Sequence, residues 1–466
     1  MNKPTVDLIV LGAGPAGMSA ALEATRHGLS VVVLDEQGSP GGQIYRNIQQ
    51  ADARSRRVLG DDYGAGAELV DRFLRCGARY LGNAAIWQVT PQRQVHYLID
   101  GRAEVLQGHH VLIATGAFER PMPIPGWTLP GVMTAGAGQI LLKSAAMVPQ
   151  GPVVLAGCGP LLYLLAVQYL RAGIAIEALV DTSGRGDLAR AWRKIPGALR
   201  GWRDLLKGVH LLVELKRAGV RHFRDARDLR IEGPVQASAL SFDSDDRRWT
   251  IPASLILLHQ GVVPNTQISW SLRLEHDWSE QQLCWSARRD SQGESSLPGI
   301  FIAGDSGAIG GAQVALLEGR LAGLGIAARS KRLDAQRLQQ LADPYRKALR
   351  RQRAARPLID ALYRPRQQNR VPADEVIVCR CEDVSAGAIR QHVALGCLGP
   401  NQTKAFGRCG MGPCQGRLCG LSVTEIIAEQ RNVSPAEVGY YRIRSPLKPI
   451  TLAQLSTETP LTQEPV

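Results

Sequence analysis

Near its N-terminus the chain reads Val6-Asp-Leu-Ile-Val-Leu11, then Gly12-Ala-Gly14-Pro15-Ala16-Gly17, then a helix-compatible stretch to about His27 and an apolar strand ending at Asp35-Glu36. Strand, Gly-x-Gly-x-x-Gly turn, helix, strand and terminal acid in this order form a βαβ unit that binds a dinucleotide. Gly12 permits the tight turn, Gly14 lets the backbone approach a pyrophosphate, and Gly17 lets helix and strand pack closely. The phosphates rest on the helix N-terminus, where free N–H groups and the positive dipole end favour anions. Asp35 falls at the ribose-hydroxyl position, with Glu36 as its adjacent alternative.

Three further motifs follow in a consistent order: Gly41-Gly42-Gln43, Ala114-Thr115-Gly116 after an apolar strand, and Ile302-Ala303-Gly304-Asp305 leading to Gly311-Ala312-Gln313 and a helix. The set resembles the flavoprotein reductases with two dinucleotide-binding domains, where these are FAD motifs. The resemblance implies that Asp305 binds the ribityl chain and that the Ala312-Gln313 helix start faces the isoalloxazine. Between them lies a second βαβ, with Gly157-Cys158-Gly159 and an acid at Asp181. Its third glycine position is Leu162, whose bulk crowds the approach to phosphate. A vestigial or adenine-nucleotide site is expected there in preference to NAD(P)H binding. No cysteine pair flanks the flavin motifs, since Cys76, Cys158 and Cys284 are far apart, so disulfide reduction is disfavoured. Cys158 reads as a small buried residue, and His259, in an apolar strand, as a core histidine.

Nine cysteines in 466 residues are too few for a disulfide scaffold, and most crowd the C-terminal region. Cys379, Cys381, Cys414 and Cys419 have a C-x-C, C-x₄-C arrangement suited to an iron–sulfur cluster, because thiolates are soft ligands. The region resembles bacterioferritin-associated ferredoxin, which carries these four over as [2Fe–2S] ligands. Cys409 is the rival for the fourth position, and zinc is the alternative metal.

The net charge of +13 is localised: from 327 to 370 there are thirteen Lys/Arg against three Asp, or +10. An interdomain helix is the simplest account, with an acidic partner or an anionic membrane surface as others. No aromatic-rich nucleic-acid module accompanies it, so nucleic acid is not expected. The charge-free run Val153 to Leu170 is broken by Gly157, Gly159 and Pro160 and reads as a buried strand, turn and helix. A cytoplasmic protein, peripheral at most to the inner face of the cell membrane, is expected.

Over nearly its full length the chain resembles the large flavoprotein subunits of opine oxidases, D-hydroxyproline dehydrogenases and hydrogen cyanide synthases. The carrying segments are Ala114 to Gly131, Leu258 to Thr266 and Cys409-Gly-Met-Gly-Pro-Cys-Gln-Gly-Arg417. The resemblance implies an α/β fold and an FAD-dependent dehydrogenase subunit for CH–NH or CH–NH₂ donors. It also implies a partner similar to D-amino-acid oxidases, a small ferredoxin-like subunit, and an FMN at a subunit interface. A stand-alone NAD(P)H-dependent FAD/[2Fe–2S] reductase, or a hydrogen cyanide synthase subunit oxidising glycine, is the alternative. The expected division is an FAD domain (1–118 and 290–330), an inserted second dinucleotide-binding-like domain (119–289), a basic helical linker (331–374), a [2Fe–2S] domain (375–432) and a tail (433–466).

Overall fold

The computed structural model describes residues 5–458; the ends of the expected FAD domain and tail, 1–4 and 459–466, lie outside the described residues. In the first sheet Val6–Leu11 is central, parallel to Val31–Leu34 on one side and to Arg102–Ile113 on the other. Ile300–Ile302 adds to Arg102–Ile113 in parallel, so a segment almost two hundred residues later completes the sheet. The first half of the long strand Arg102–Ile113 pairs antiparallel with Gln94–Ile99, which pairs with Ala85–Val89. Val6–Leu11 is apolar on both faces apart from Asp7, as a strand covered on both sides requires.

Two helices cross on one face of this sheet. Pro15–Arg26 runs from the first glycine turn, and Ala312–Arg329 follows the last predicted flavin motif. They approach so closely that a Cβ on Gly319 would lie 2.1 Å from the Ala16 carbonyl oxygen. This contact brings the two ends of the expected discontinuous domain together.

The second sheet is wholly parallel, in the order His222–Phe223, Ile176–Asp181, Val153–Cys158, Leu255–Gln260, Val132–Thr134. Val153–Cys158 is buried at every position, which explains its uninterrupted apolar run. Among the described residues no helix is long and apolar enough to cross a membrane. The antiparallel pair Ala117–Glu119 and Val262–Pro264 carries the chain between the two sheets.

The basic segment forms the helices Ala335–Gln352 and Arg356–Leu362. Some of its arginines are engaged across boundaries: Arg353 with Glu318, Arg366 with Asp225, and Arg370 with the buried Glu425. Beyond it, the short pair Ile377–Cys379 and Val384–Ser385 precedes the helices Ala386–Ala394, Pro400–Gly407 and Gly420–Arg431. Val378, Cys379, Cys409, Ile426 and Tyr441 share a core with Ile9, Ile113 and Ile300 of the first sheet. The cysteine-rich unit is therefore packed directly onto the first sheet.

Candidate functional site

One cavity of about 1610 Å³ opens at the carboxyl ends of the first sheet, where open α/β sheets bind ligands. It exceeds the roughly 300–1,000 Å³ of an ordinary small-molecule pocket, as an extended dinucleotide needs. Gly12, Gly14, Pro15, Ala16, Asp35, Glu36, Gly42, Gln43, Ala114, Thr115, Gly116, Asp305 and Ala312 all line it. Gly17, Gly304 and Gln313 do not. Gly17 is pressed against the turn, where a Cβ would meet the Gly12 carbonyl oxygen at 1.9 Å, and Gly304 packs on Ala16 and Ala315. Gln313 is exposed.

The cradle at the glycine turns is bare backbone. Gly42, at φ +61°, would bring a Cβ to within 2.8 Å of the Gly14 Cα, so the two turns touch only because position 42 is glycine. Asp35 holds the first turn, accepting from the Ala13 N–H at 2.6 Å and the Gln37 N–H at 2.8 Å. Burial pushes its carboxyl above the usual range, with those hydrogen bonds opposing. A carboxylate has lone pairs left after two such bonds, so Asp35 can still accept a ribose hydroxyl. Asp305 is organised in the same way, accepting from Gly310 and Gly311 at 2.8 and 3.0 Å, and burial pushes it up too. These features fit a flavin dinucleotide.

Lys143, in the helix Ala135–Ala145, also lines the cavity. Its Nζ donates to the Gln43 carbonyl oxygen at 3.1 Å and to Gln139 Oε1 at 3.0 Å. Burial, reinforced by Arg46, brings its pKa down to about 7. Nothing in the surrounding sequence marks this lysine, which lies in an ordinary amphipathic turn. Arg417, Leu447 and Lys448, from the C-terminal region, line the same cavity. Arg417 was visible as part of the cysteine motif but carried no sign of facing a flavin.

The second glycine turn differs. Leu162 is fully buried in the core, and Asp181 has no free role as a ribose acceptor. Its carboxylate accepts from Tyr163 Oη, from Ser183 Oγ and from the Ser183 N–H at 2.8 Å, and it lies 3.5 Å from His222 Nε2. The linker closes over the same strand ends. Cys158 Sγ donates to the Tyr363 carbonyl oxygen at 3.6 Å, Arg366 Nε to Thr182 O at 2.6 Å, and Gln260 Nε2 to Asn369 O at 3.0 Å. Cys158 is buried, its thiol pushed up to about 12 by burial first and by Asp181 second. His259 is 2% exposed and pairs through Nδ1 with Glu119 at 2.6 Å; Glu119 also accepts from the Gly136 N–H. It braces the crossing strand against the second sheet.

All the described cysteines are free. Cys379, Cys409 and Cys419 are buried, with their Sγ atoms within 4.8 Å of one another. Hydrogen bonds from Cys409 and Cys419 hold the Cys379 thiol down to about 2, while Cys409 is pushed up to about 12 by the Cys379 sulfur. Cys381, which is exposed, and Cys414, which is half-buried, form a second hydrogen-bonded pair next to Cys379. Five thiols with no disulfide among them, in contact through two groups, are the donor set a thiolate-ligated cluster requires. Tyr441 supports the loop: its hydroxyl donates to the Cys409 carbonyl oxygen at 2.9 Å, and its ring fills the space above Gly410 and Gly416.

Residues 6–159 match the family model of pyridine nucleotide-disulphide oxidoreductases, and residues 374–459 that of the sarcosine oxidase A3 domain. The chain is 44% identical to the opine oxidase A subunit of Rhizobium meliloti, over 97% of this chain and 98% of that protein. It is 31% identical to hydrogen cyanide synthase subunit HcnB of Pseudomonas aeruginosa, over 95% of this chain and 96% of that one. A solved structure of L-proline dehydrogenase from P. horikoshii superposes over 97% of this chain and 80% of its own, with a TM-score of 0.70 at 20% identity, a likeness of fold. With two parallel sheets each carrying a glycine-turn βαβ unit, a cavity large enough for a dinucleotide at the first, and this identity over 97% of its length, the chain belongs to the family of opine oxidase A subunits and is an FAD-dependent oxidoreductase.

Proposed function

We propose that this chain is the electron-transferring flavoprotein and iron–sulfur subunit of a heteromeric dehydrogenase that oxidises a secondary or primary amine of the opine, imino acid or D-hydroxyproline type. The observation that carries the reading is the pairing of an accessible first dinucleotide cavity and a five-thiol loop on one chain with a second dinucleotide site filled by its own side chains and linker. A bound flavin accepts two electrons and releases them singly, and a [2Fe–2S] cluster carries one at a time.

The roles of this chain's residues follow from their chemistry. Gly12, Gly14 and Gly42 would admit the pyrophosphate to the N-terminus of the helix Pro15–Arg26, where no side chain competes for the free N–H groups. Asp35, with Glu36 beside it, would accept the adenosine ribose hydroxyls, and Asp305 the ribityl hydroxyls. Ala114, Thr115 and Gly116 wall the cavity directly beside the glycine turn, and Lys143 holds Gln43 in place. Cys379, Cys381, Cys414 and Cys419 are assigned as cluster ligands on the resemblance to the small ferredoxin; Cys381 pairs with Cys414, while Cys379 touches both Cys419 and its rival Cys409. Two irons each need one such pair. Cys409, fully buried beside Cys379 and Cys419, is the rival fourth ligand.

Following the resemblance to the opine oxidase subunits, amine oxidation is assigned to a partner subunit similar to D-amino-acid oxidases, with an FMN at the interface and a small ferredoxin-like chain completing the complex. The five-segment division expected from the sequence is part of the same proposal. The test is purification from the native host with a visible spectrum and iron and sulfide assays. The reading requires a copurifying flavoprotein, near-stoichiometric iron, and no bleaching of the isolated subunit's flavin by NADH. A flavin that NADH bleaches would instead establish a stand-alone reductase. Cys419→Ser should lose the cluster and Cys409→Ser keep it; the reverse result would assign Cys409 as ligand.

A further inference from the structure

The cysteine loop and the flavin cavity meet at one side chain. Arg417 lies between Cys414 and Cys419, and its N–H donates to the Cys414 carbonyl oxygen at 3.0 Å. Its side chain lines the cavity that also contains Asp35 and Glu36. There the guanidinium makes a long contact to the Leu447 carbonyl oxygen, at 3.4 Å, and its Nε is buried with no hydrogen-bond partner. A buried guanidinium nitrogen without an acceptor is costly unless a ligand supplies one.

A second connection runs in parallel. Tyr440 and Tyr441 hold the loop through Gly416 and Cys409, and a few residues later the same strand of chain reaches the flavin cavity. The Leu447 N–H donates to the Trp87 carbonyl oxygen of the first domain at 2.7 Å, and Lys448 Nζ pairs with Glu36. Burial lowers the Lys448 pKa, and the nearby Asp35 opposes this, so a cation is held beside both acids at the expected ribose position. The segment carrying Tyr441 at one end and Lys448 at the other is thus a strap from cysteine loop to cavity wall.

We propose that Arg417 and Lys448 complete the binding site for the adenosine diphosphate half of FAD, and that flavin retention and the order of the cysteine loop are therefore linked. The inference rests on the reading of this cavity as the FAD site and of the loop as the cluster site. A guanidinium offers a donor fork to a phosphate or a flat face to a purine, and an ammonium a point charge to phosphate, so both suit an anionic nucleotide. Linkage is reciprocal: whatever orders the loop tightens FAD, and FAD steadies the loop.

The test titrates FAD and ADP onto the deflavinated full-length protein, followed by flavin fluorescence and calorimetry, with iron content measured in parallel. Arg417→Met and Lys448→Met should each weaken FAD by about tenfold, the loss expected for one charge-assisted contact, and weaken ADP by the same factor. Arg417→Lys should restore part of the loss. Stripping the iron with a chelator should weaken FAD in the wild-type chain. If Arg417→Met also loses iron, Lys448→Met decides, because it lies outside the cysteine loop. FAD binding within twofold of wild type in Lys448→Met, or loss of FAD affinity with ADP affinity unchanged, would overturn the inference alone. A wild-type chain that binds neither FAD nor ADP would overturn the cofactor reading beneath it.

Discussion

Single atoms decide the flavin site. Gly42 sits at φ +61° with its Cα against Gly14, so Gly42→Ala adds both a left-handed strain and a backbone clash. A cost of about 1–3 kcal/mol is expected, with FAD affinity falling roughly tenfold, measurable by urea unfolding and fluorescence titration. Lys143 makes a pH prediction. Its folded pKa is about 7 against 10.5 for the exposed group, so between these values the unfolded chain binds a proton that the folded chain does not. Stability of the apoprotein should therefore gain a contribution as pH rises from about 7 to 10, reaching no more than about 4 kcal/mol, and lose it as pH falls back through 7. Lys143→Met should remove that part of the pH profile in denaturant titrations at successive pH values. Asp35 and Asp305 were legible from the sequence because acids at strand ends have a fixed relation to glycine turns. Lys143 was not, because its importance comes from a neighbour, Gln43, one hundred residues away.

At the scale of elements, the crossing of Pro15–Arg26 over Ala312–Arg329 joins the first βαβ unit to the helix that follows Ile300–Ile302, and Gly319 is where the backbones nearly touch. Gly319→Val should destabilise the fold by about 3 kcal/mol through overpacking and release FAD, seen as a lower unfolding midpoint and loss of bound flavin absorbance. The sequence pattern located both helices, since each follows a glycine turn. Their contact was hidden, because helix Ala312–Arg329 is apolar nearly all round and its periodicity marks no single face. The second βαβ was equally clear as an element. Its closure depended on Tyr363, Arg366 and Asn369 folding back from a linker that reads as solvated charge.

For the whole molecule, the linker arginines act as cross-braces. Arg370 and Glu425 form a buried ion pair between the linker and the helix Gly420–Arg431 that follows the last cysteine, and burial lowers the Arg370 pKa to about 9. Removing one partner leaves the other charge buried, so Arg370→Met should cost about 3–5 kcal/mol and loosen the C-terminal unit. Limited proteolysis would then cut near residue 370 in the variant well before it does in the wild type. The same packing places the cysteine loop on the Asp35–Glu36 side of the flavin cavity, which no motif spacing conveys.

The sequence by itself determined the local chemistry: glycine turns that need positive φ or close approach, acids at strand ends, apolar runs for buried parallel strands, and a dense set of thiols near the C-terminus. These signals are short-range, since steric and ligand preferences act within a few residues. Only the tertiary structure decided which groups meet. It brought Cys409 beside Cys379 and Cys419, tied up Asp181 with Tyr163 and Ser183, buried Lys143 until its charge became marginal, and turned Arg417 from the cysteine loop toward the flavin cavity. Each is a contact between segments distant in the chain, created by the packing of two sheets, a linker and a C-terminal unit.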